Sequence, residues 1–163
     1  MSQTSAWREK LATTLPLLGH RNWIVIADSA YPEQVGDGVV TVLVDGEYAD
    51  VVTTVMDAID AASHVMPVVY LDDEIVYLDE ADCPGITSLR EQLDAVLTER
   101  IVNYQPHESI IKEIDQASRL FRVLVLKTSL VIPYTSVFLR LDCGYWSPEA
   151  ESRLRQRMNR GVH

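Results

Sequence analysis

The chemistry most visible in this 163-residue chain belongs to a histidine and a carboxylate eight residues apart, His20 and Asp28. An imidazole with an ordinary pKa of about 6.5 gives and takes protons near neutrality, and a carboxylate can orient or tune it, so the pair suits acid/base catalysis. Each residue also has a plainer reading. A histidine after Gly19 can simply follow a helix stop, and an aspartate leaving a strand often caps the next turn. His64 falls where a helix ends and is read as interacting with the helix dipole. His107, after Pro106, falls at a helix start, whose positive end lowers an imidazole pKa with or without a ligand.

Other polar clusters promise less. Asp72-Asp73-Glu74 invites a hard cation but matches no fixed ligand spacing, so it is read as solvated turn charge. Cys83 and Cys143 lack CxxC spacing and clustered histidines, which makes them ordinary thiols and predicts no metal site. Gly36-x-Gly38 lacks the third glycine and the following helix of a dinucleotide fingerprint, and reads as a loop.

The elements that must position these groups follow from periodicity. Trp7, Leu11, Leu15 and Leu18 recur at helical spacing, with Pro16 opening a second short turn. Residues 23–27 (WIVIA) form an apolar run of the kind found in strands buried on both faces, and 39–44 reads as a second. Val51, Val52, Val55, Met56, Ile59 and Ala62 mark one helical face, with Met56 as core filling. Residues 66–71 and 75–78 are predicted as two strands, joined as a hairpin or insertion. Leu89, Leu93, Val96, Leu97 and Ile101 mark a further helix, and Ile110, Ile111, Ile114, Ala117 and Phe121 the next. Strands at about 122–127 and 136–141 follow, and Ser147-Pro148-Glu149 starts a last helix in N-cap, N1 order. Alternating strands and helices predict a three-layer α/β/α fold with a largely parallel or mixed central sheet. In such sheets ligands bind outside the carboxyl ends of the strands, where Asp28 is expected.

Composition sets the outer limits. The chain suits one domain, and 47% hydrophobic with 23% charged residues is ordinary for a globular protein. A formal net charge of −10, with 14 Lys and Arg, disfavours nucleic acid as a partner. Arg153, Arg155, Arg157 and Arg160 read as a solvated helix face near a helix C-terminus. Residues 1–10 lack the apolar core of a signal peptide and the apolar runs are strand-sized, so no membrane association and a cytoplasmic location are expected.

Leu18-Gly19-His20, the strand Ile24-Val25-Ile26-Ala27, Asp28-Ser29-Ala30 and Pro32 together resemble the opening of the RbsD/FucU family of ribose pyranases and fucose mutarotases. Pro133-Tyr134-Thr135-Ser136, Val137-Phe138-Leu139 and Gly144 are similar to that family's closing Tyr-x-Asn, hydrophobic strand and glycine. Two departures stand out. Lys127-Thr128-Ser129-Leu130 replaces the family's Gly-Glu, and Ser136 stands where the family has Asn, a hydroxyl in place of an amide. His107-Glu108 resembles a His-Glu pair of the ribose branch, at a longer distance from Tyr134. The resemblance implies residues 1–146 as the RbsD-like domain and 147–163 as a helical extension of it that covers a subunit edge.

By the same resemblance the protein is expected to interconvert the anomers or ring forms of a free aldose such as ribose or fucose. His20 would be the principal acid/base, Asp28 its partner, and His107, Tyr134 and Ser136 substrate-binding residues. No cofactor is needed. The expected partners are a small monosaccharide and further copies of the chain in a ring-like homo-oligomer, commonly a decamer in the family. The alternative is a non-catalytic sugar-binding or assembly protein on the same fold, suggested by the missing acid, the Asn-to-Ser difference and the extension. A nucleotide-binding enzyme comes a distant third.

Overall fold

The apolar runs of the sequence become the middle of one six-stranded sheet. The computed structural model describes residues 3–161, so the first two residues and the last two of the 147–163 extension lie outside it. The strands are β1 (Trp23–Ala27), β2 (Val39–Leu43), β3 (Val65–Asp72), β4 (Val102–Gln105), β5 (Val123–Lys127) and β6 (Val137–Cys143), in spatial order β2-β5-β1-β6-β3-β4. β1, β2 and β5 pair in parallel, as do β3 and β4, and β6 runs antiparallel between β1 and β3. The sheet is therefore mixed, with a single reversed strand. Its five parallel strands all end on one edge, the edge at which β6 begins.

Helices cover both faces, as the period-2 alternation of the strands demands. Ile24, Ile26, Leu124, Leu126, Leu139 and Leu141 face a core shared with α1 (Gln3–Thr14), α2 (Tyr48–Ala61) and α3 (Ile86–Val96). Trp23, Val25, Val123, Val125 and Phe138 face the other way, against Ile110 and Ile114 of α4 (His107–Ala117). The three-layer α/β/α reading of the sequence thus holds. The last helix, α5 (Pro148–Asn159), begins as its sequence predicts, with Ser147 Oγ accepting from the Ala150 N–H at 3.0 Å. It contributes no fully buried residue.

Four local expectations are corrected. The hairpin over 66–78 does not form. β3 runs unbroken to Asp72, and Asp73–Tyr77 turns in a short 3₁₀ helix whose Ile75 carbonyl, like that of Leu78, is taken by Arg90 Nη1 at 2.8 and 2.9 Å. The helix expected to reach Ile101 stops at Val96, because Glu99 takes a left-handed φ of 68° and the chain re-enters the sheet as β4. The second "buried" strand, β2, is a partly exposed edge strand. Gly19 is not a left-handed helix stop. The chain leaves α1 through a 3₁₀ turn at Leu15–Leu17, and Arg21 takes the positive φ, 77°. Gly38, by contrast, has a packing reason. A Cβ there would lie 2.0 Å from the Ser118 carbonyl oxygen, so the strand can lie this close to the end of α4 only without a side chain.

Candidate functional site

Three strand ends meet where β6 begins, and they carry most of the residues singled out by the sequence. Asp28 directly follows β1, Asp72 closes β3, and His107 opens α4 one residue after Pro106 and two after β4. Tyr134 and Ser136 lead into β6. Tyr48 fastens these segments from below. Its buried hydroxyl lies 2.6 Å from the Thr135 carbonyl and 3.0 Å from that of Ile26, joining the end of β1 to the start of β6. Thr128 Oγ1 donates to the Ala27 carbonyl at 2.7 Å, and the Ser29 N–H to Leu130 at 2.7 Å. The departure from Gly-Glu at 127–130 therefore still yields a segment anchored beside Asp28.

The polar groups are already oriented by one another. Ser136 Oγ donates to Asp28 Oδ1 at 3.0 Å and receives the Asp28 N–H at 3.4 Å. His107 Nδ1 lies 3.0 Å from Asp72 Oδ1, and the His107 backbone N–H donates to the Glu74 carboxylate at 2.9 Å. Glu74 thus caps α4 with a negative charge at its positive end. The imidazole meets the Tyr134 ring edge-on, with centroids 5.5 Å apart. Asp28, Tyr31, His107, Pro133 and Tyr134 line an open cavity of about 250 Å³. Tyr134 holds a left-handed φ of 59°, a conformation that costs a non-glycine residue about 1 kcal/mol or more and is concentrated at functional sites.

Asp72 was read from sequence as solvated turn charge, and this is overturned. Its side chain is fully buried, and Oδ2 has no hydrogen-bond partner among the described residues. Burial pushes its carboxyl above the usual carboxylate range, against the opposing pull of the His107 hydrogen bond and charge. The expectation for His107 is reversed as well. Its hydrogen bond to Asp72 raises the imidazole pKa, outweighing burial, whereas a bare helix start would lower it. Burial, with the charges of Asp72 and Asp28, pushes the Tyr31 hydroxyl up to about 12, so it stays protonated at neutral pH. The signal for Asp72 was the one that marked Asp28, an acid directly after an apolar strand.

Replacing Asp72 with Asn should lower the His107 pKa, since the hydrogen bond and charge that raise it most are lost while desolvation remains. Titrating the imidazole resonances of both proteins by NMR checks this. An unchanged pKa would mean that the Asp72 contact does not govern His107.

His20 does not join this cluster. A partnership of His20 with Asp28 inside one chain requires both at the carboxyl edge, but they bracket β1, whose five residues span about 17 Å at 3.3–3.4 Å each. The backbone of the His20 segment is tied to the other edge, with Arg21 N–H donating to Leu141 O at 3.1 Å and Leu141 N–H to Asn22 O at 2.8 Å. His64 Nε2 lies 3.0 Å from the Leu18 carbonyl and 3.2 Å from that of Leu15, so it pins the turn preceding His20, a structural role. Exposed His20 turns Nδ1 to Asp142 Oδ1 at 2.8 Å, and that oxygen also receives the Cys143 N–H at 3.0 Å. With Nδ1–H donated to the carboxylate, Nε2 is free to exchange a proton. Asp142, 122 residues from His20, carries no sequence signal that would have selected it.

Among the described residues no three His, Cys, Asp or Glu side chains converge in a way that could hold a metal, and no helix is long and apolar enough to cross a membrane. The sequence model of the RbsD / FucU transport protein family matches residues 1–143. No curated protein matches the chain. Among solved structures, it is similar to RbsD of Bacillus subtilis complexed with D-ribose, with a TM-score of 0.60 and 22% identity over 82% of this chain and 91% of that one. The fucose mutarotase of Streptococcus pneumoniae in complex with L-fucose gives 0.56 and 16%, covering 82% and 91%. FucU of Bifidobacterium longum gives 0.54 and 15%, covering 82% and 92%.

Proposed function

Since the chain belongs to the RbsD/FucU family, we propose that it interconverts the anomers or ring forms of a free aldose by acid/base catalysis, with no cofactor. The observation that carries this reading is the cavity at the carboxyl edge, where an oriented carboxylate (Asp28), an imidazole paired to a buried acid (His107) and an aromatic ring (Tyr134) face one space. A sugar ring requires that set, namely acceptors and donors for its hydroxyls and an apolar surface for its C–H face.

The reaction opens and recloses one bond. A base removes the proton of the anomeric hydroxyl while an acid protonates the ring oxygen, and the bond between that oxygen and the anomeric carbon breaks. The freed carbonyl rotates, and closure reverses both transfers. His20 is suited to this exchange because Asp142 fixes its Nδ1 proton and leaves Nε2 open. It stands on the edge opposite Asp28, so the site is completed by a second copy of the chain that brings its His20 edge to this cavity. That arrangement accords with the ring-like homo-oligomer implied by the family and with sites near subunit contacts.

NMR saturation transfer between the anomers of ribose, fucose and related sugars tests the reading. Accelerated exchange that is lost in His20→Ala supports it, and no acceleration with any sugar, or full activity in His20→Ala, overturns it. The engagement of the Ser136 hydroxyl with Asp28 favours a second reading, a sugar-binding protein without catalysis, because that hydroxyl is occupied where the family offers an amide. Calorimetric binding that persists in His20→Ala without accelerated exchange would select it.

Ser136→Ala should lower kcat/KM by up to about tenfold, the effect of one hydrogen bond that orients Asp28. Exchange rates measured across sugar concentrations separate the two constants. A fall in kcat alone would place Ser136 in the proton transfers.

A further inference from the structure

Residues 144–161, beyond the stretch matched by the family, build a wall beside His20. His20, Asp142, Tyr145, Trp146, Glu151 and Arg155 line a cavity of about 600 Å³, inside the range of roughly 300–1,000 Å³ typical of small-molecule sites. Of its two aromatic residues, Tyr145 is largely exposed, whereas Trp146 is held in place. Trp146 Nε1–H donates to Glu151 Oε1 at 3.2 Å, and Arg155 Nε donates to Glu151 Oε2 at 3.0 Å. Those two bonds hold the Glu151 carboxyl below its usual range, so it stays an acceptor for both. Ser147 caps the helix that carries Glu151 and Arg155. The indole is thus pinned by its edge, while 45% of the residue stays exposed. A fixed aromatic face with carboxylates beside it binds the C–H face and the hydroxyls of a sugar ring without first having to be ordered.

The charges narrow the ligand. Two carboxylates, Asp142 and Glu151, face one guanidinium, Arg155, which gives a phosphorylated or acidic sugar no net attraction. We propose that this cavity is a carbohydrate subsite, taking the second ring of a neutral reducing disaccharide whose reducing end is presented to His20. The proposal rests on the mutarotase reading and extends it from free monosaccharides to a larger substrate class. His20 is the hinge of the geometry, shared between the Trp146 cavity and the Asp28 edge of a second copy.

The test compares anomer exchange of glucose with that of maltose and cellobiose in wild type, Trp146→Leu and Trp146→Phe. Wild type should show a KM at least tenfold lower for one of the disaccharides than for glucose. Trp146→Leu should raise that disaccharide KM at least tenfold and leave the glucose value within twofold, and Trp146→Phe, which keeps an aromatic face, should retain most of the preference. Calorimetry with the methyl glycosides of both disaccharides, which cannot mutarotate, reads the subsite apart from catalysis. If no sugar shows accelerated exchange but Trp146 still governs methyl-disaccharide binding, the mutarotase reading fails and the subsite stands. Equal KM values for glucose and both disaccharides, or no Trp146-dependent binding of either methyl glycoside, would overturn the subsite. So would a Trp146→Leu effect that arises through a changed oligomeric mass, because the ring would then be a subunit contact.

Discussion

Mixing two inactive variants, His20→Ala and Asp28→Ala, should restore anomer exchange. Each alone is expected to fall by at least about a hundredfold, the scale of a general acid/base contribution. The restoration follows from β1. His20 precedes it, bound to Asp142 near the end of β6, and Asp28 follows it, bound to Ser136 at the start of β6, so one chain presents the two residues on opposite edges of its sheet. A site using both must draw them from two copies. After random co-assembly from an equal mixture, about one site in four pairs an intact His20 with an intact Asp28, so activity should recover to about a quarter of wild type in a closed symmetric oligomer. Co-refolding or co-expression followed by saturation-transfer NMR measures it. If the mixture stays as inactive as its parts, the composite site is wrong. His107, on the same edge as Asp28 and already paired to Asp72, then becomes the acid/base to test within one chain.

How much of this was legible in the sequence depends on where each residue sits in the sheet. β1 and β5 are buried on both faces and flanked on both sides, so their sequences (WIVIA and VLVLK) read as apolar runs at almost the right boundaries. β4 has one neighbour, four residues and partial exposure. Its Val-Asn-Tyr-Gln carries neither a run nor an alternation strong enough to mark a strand, and Ile101 was drawn instead into the helical pattern before it. Asp28 was legible as the acid that ends a buried strand, and His107, Tyr134 and Ser136 through the resemblance to the family's motifs; all four lie at element ends on one edge of the sheet. Two aspartates were passed over. Asp72 opens a run of three acids, which looks like a solvated turn until the fold buries it under His107. Asp142 depends on a pairing across 122 residues that no local pattern encodes. The distance between His20 and Asp28 misled for a simple reason. Eight residues are few along the chain, but an extended strand turns five of them into most of the height of the sheet.

Truncating His107 to Ala should destabilise the protein by about 3 kcal/mol at neutral pH, the lower end of the effect of breaking a buried ion pair from one side. Asp72 Oδ1 has His107 as its partner, and Oδ2 has none among the described residues, so the variant leaves a fully buried carboxylate without compensation. The pH dependence gives the prediction its signature. In the wild-type fold the Asp72 pKa is raised above its ordinary 3.8 by burial, with His107 pulling the other way, and removing His107 raises it further. A carboxyl whose folded pKa exceeds its unfolded one binds more protons in the folded state. Its stability is therefore fully present below the unfolded pKa and is lost as pH rises through the folded one. His107 has its own raised pKa, so wild type keeps the stabilisation of the charged pair below an ordinary histidine pKa and loses it as pH rises through the folded value. The gap between wild type and His107→Ala should accordingly be small near pH 4, widen as Asp72 ionises in the variant, and narrow again once the wild-type imidazole deprotonates. Urea unfolding of both proteins across that range measures the difference directly, and titrations common to both cancel. A gap that stays constant with pH would show that His107 contributes packing alone and that Asp72 finds its compensation elsewhere.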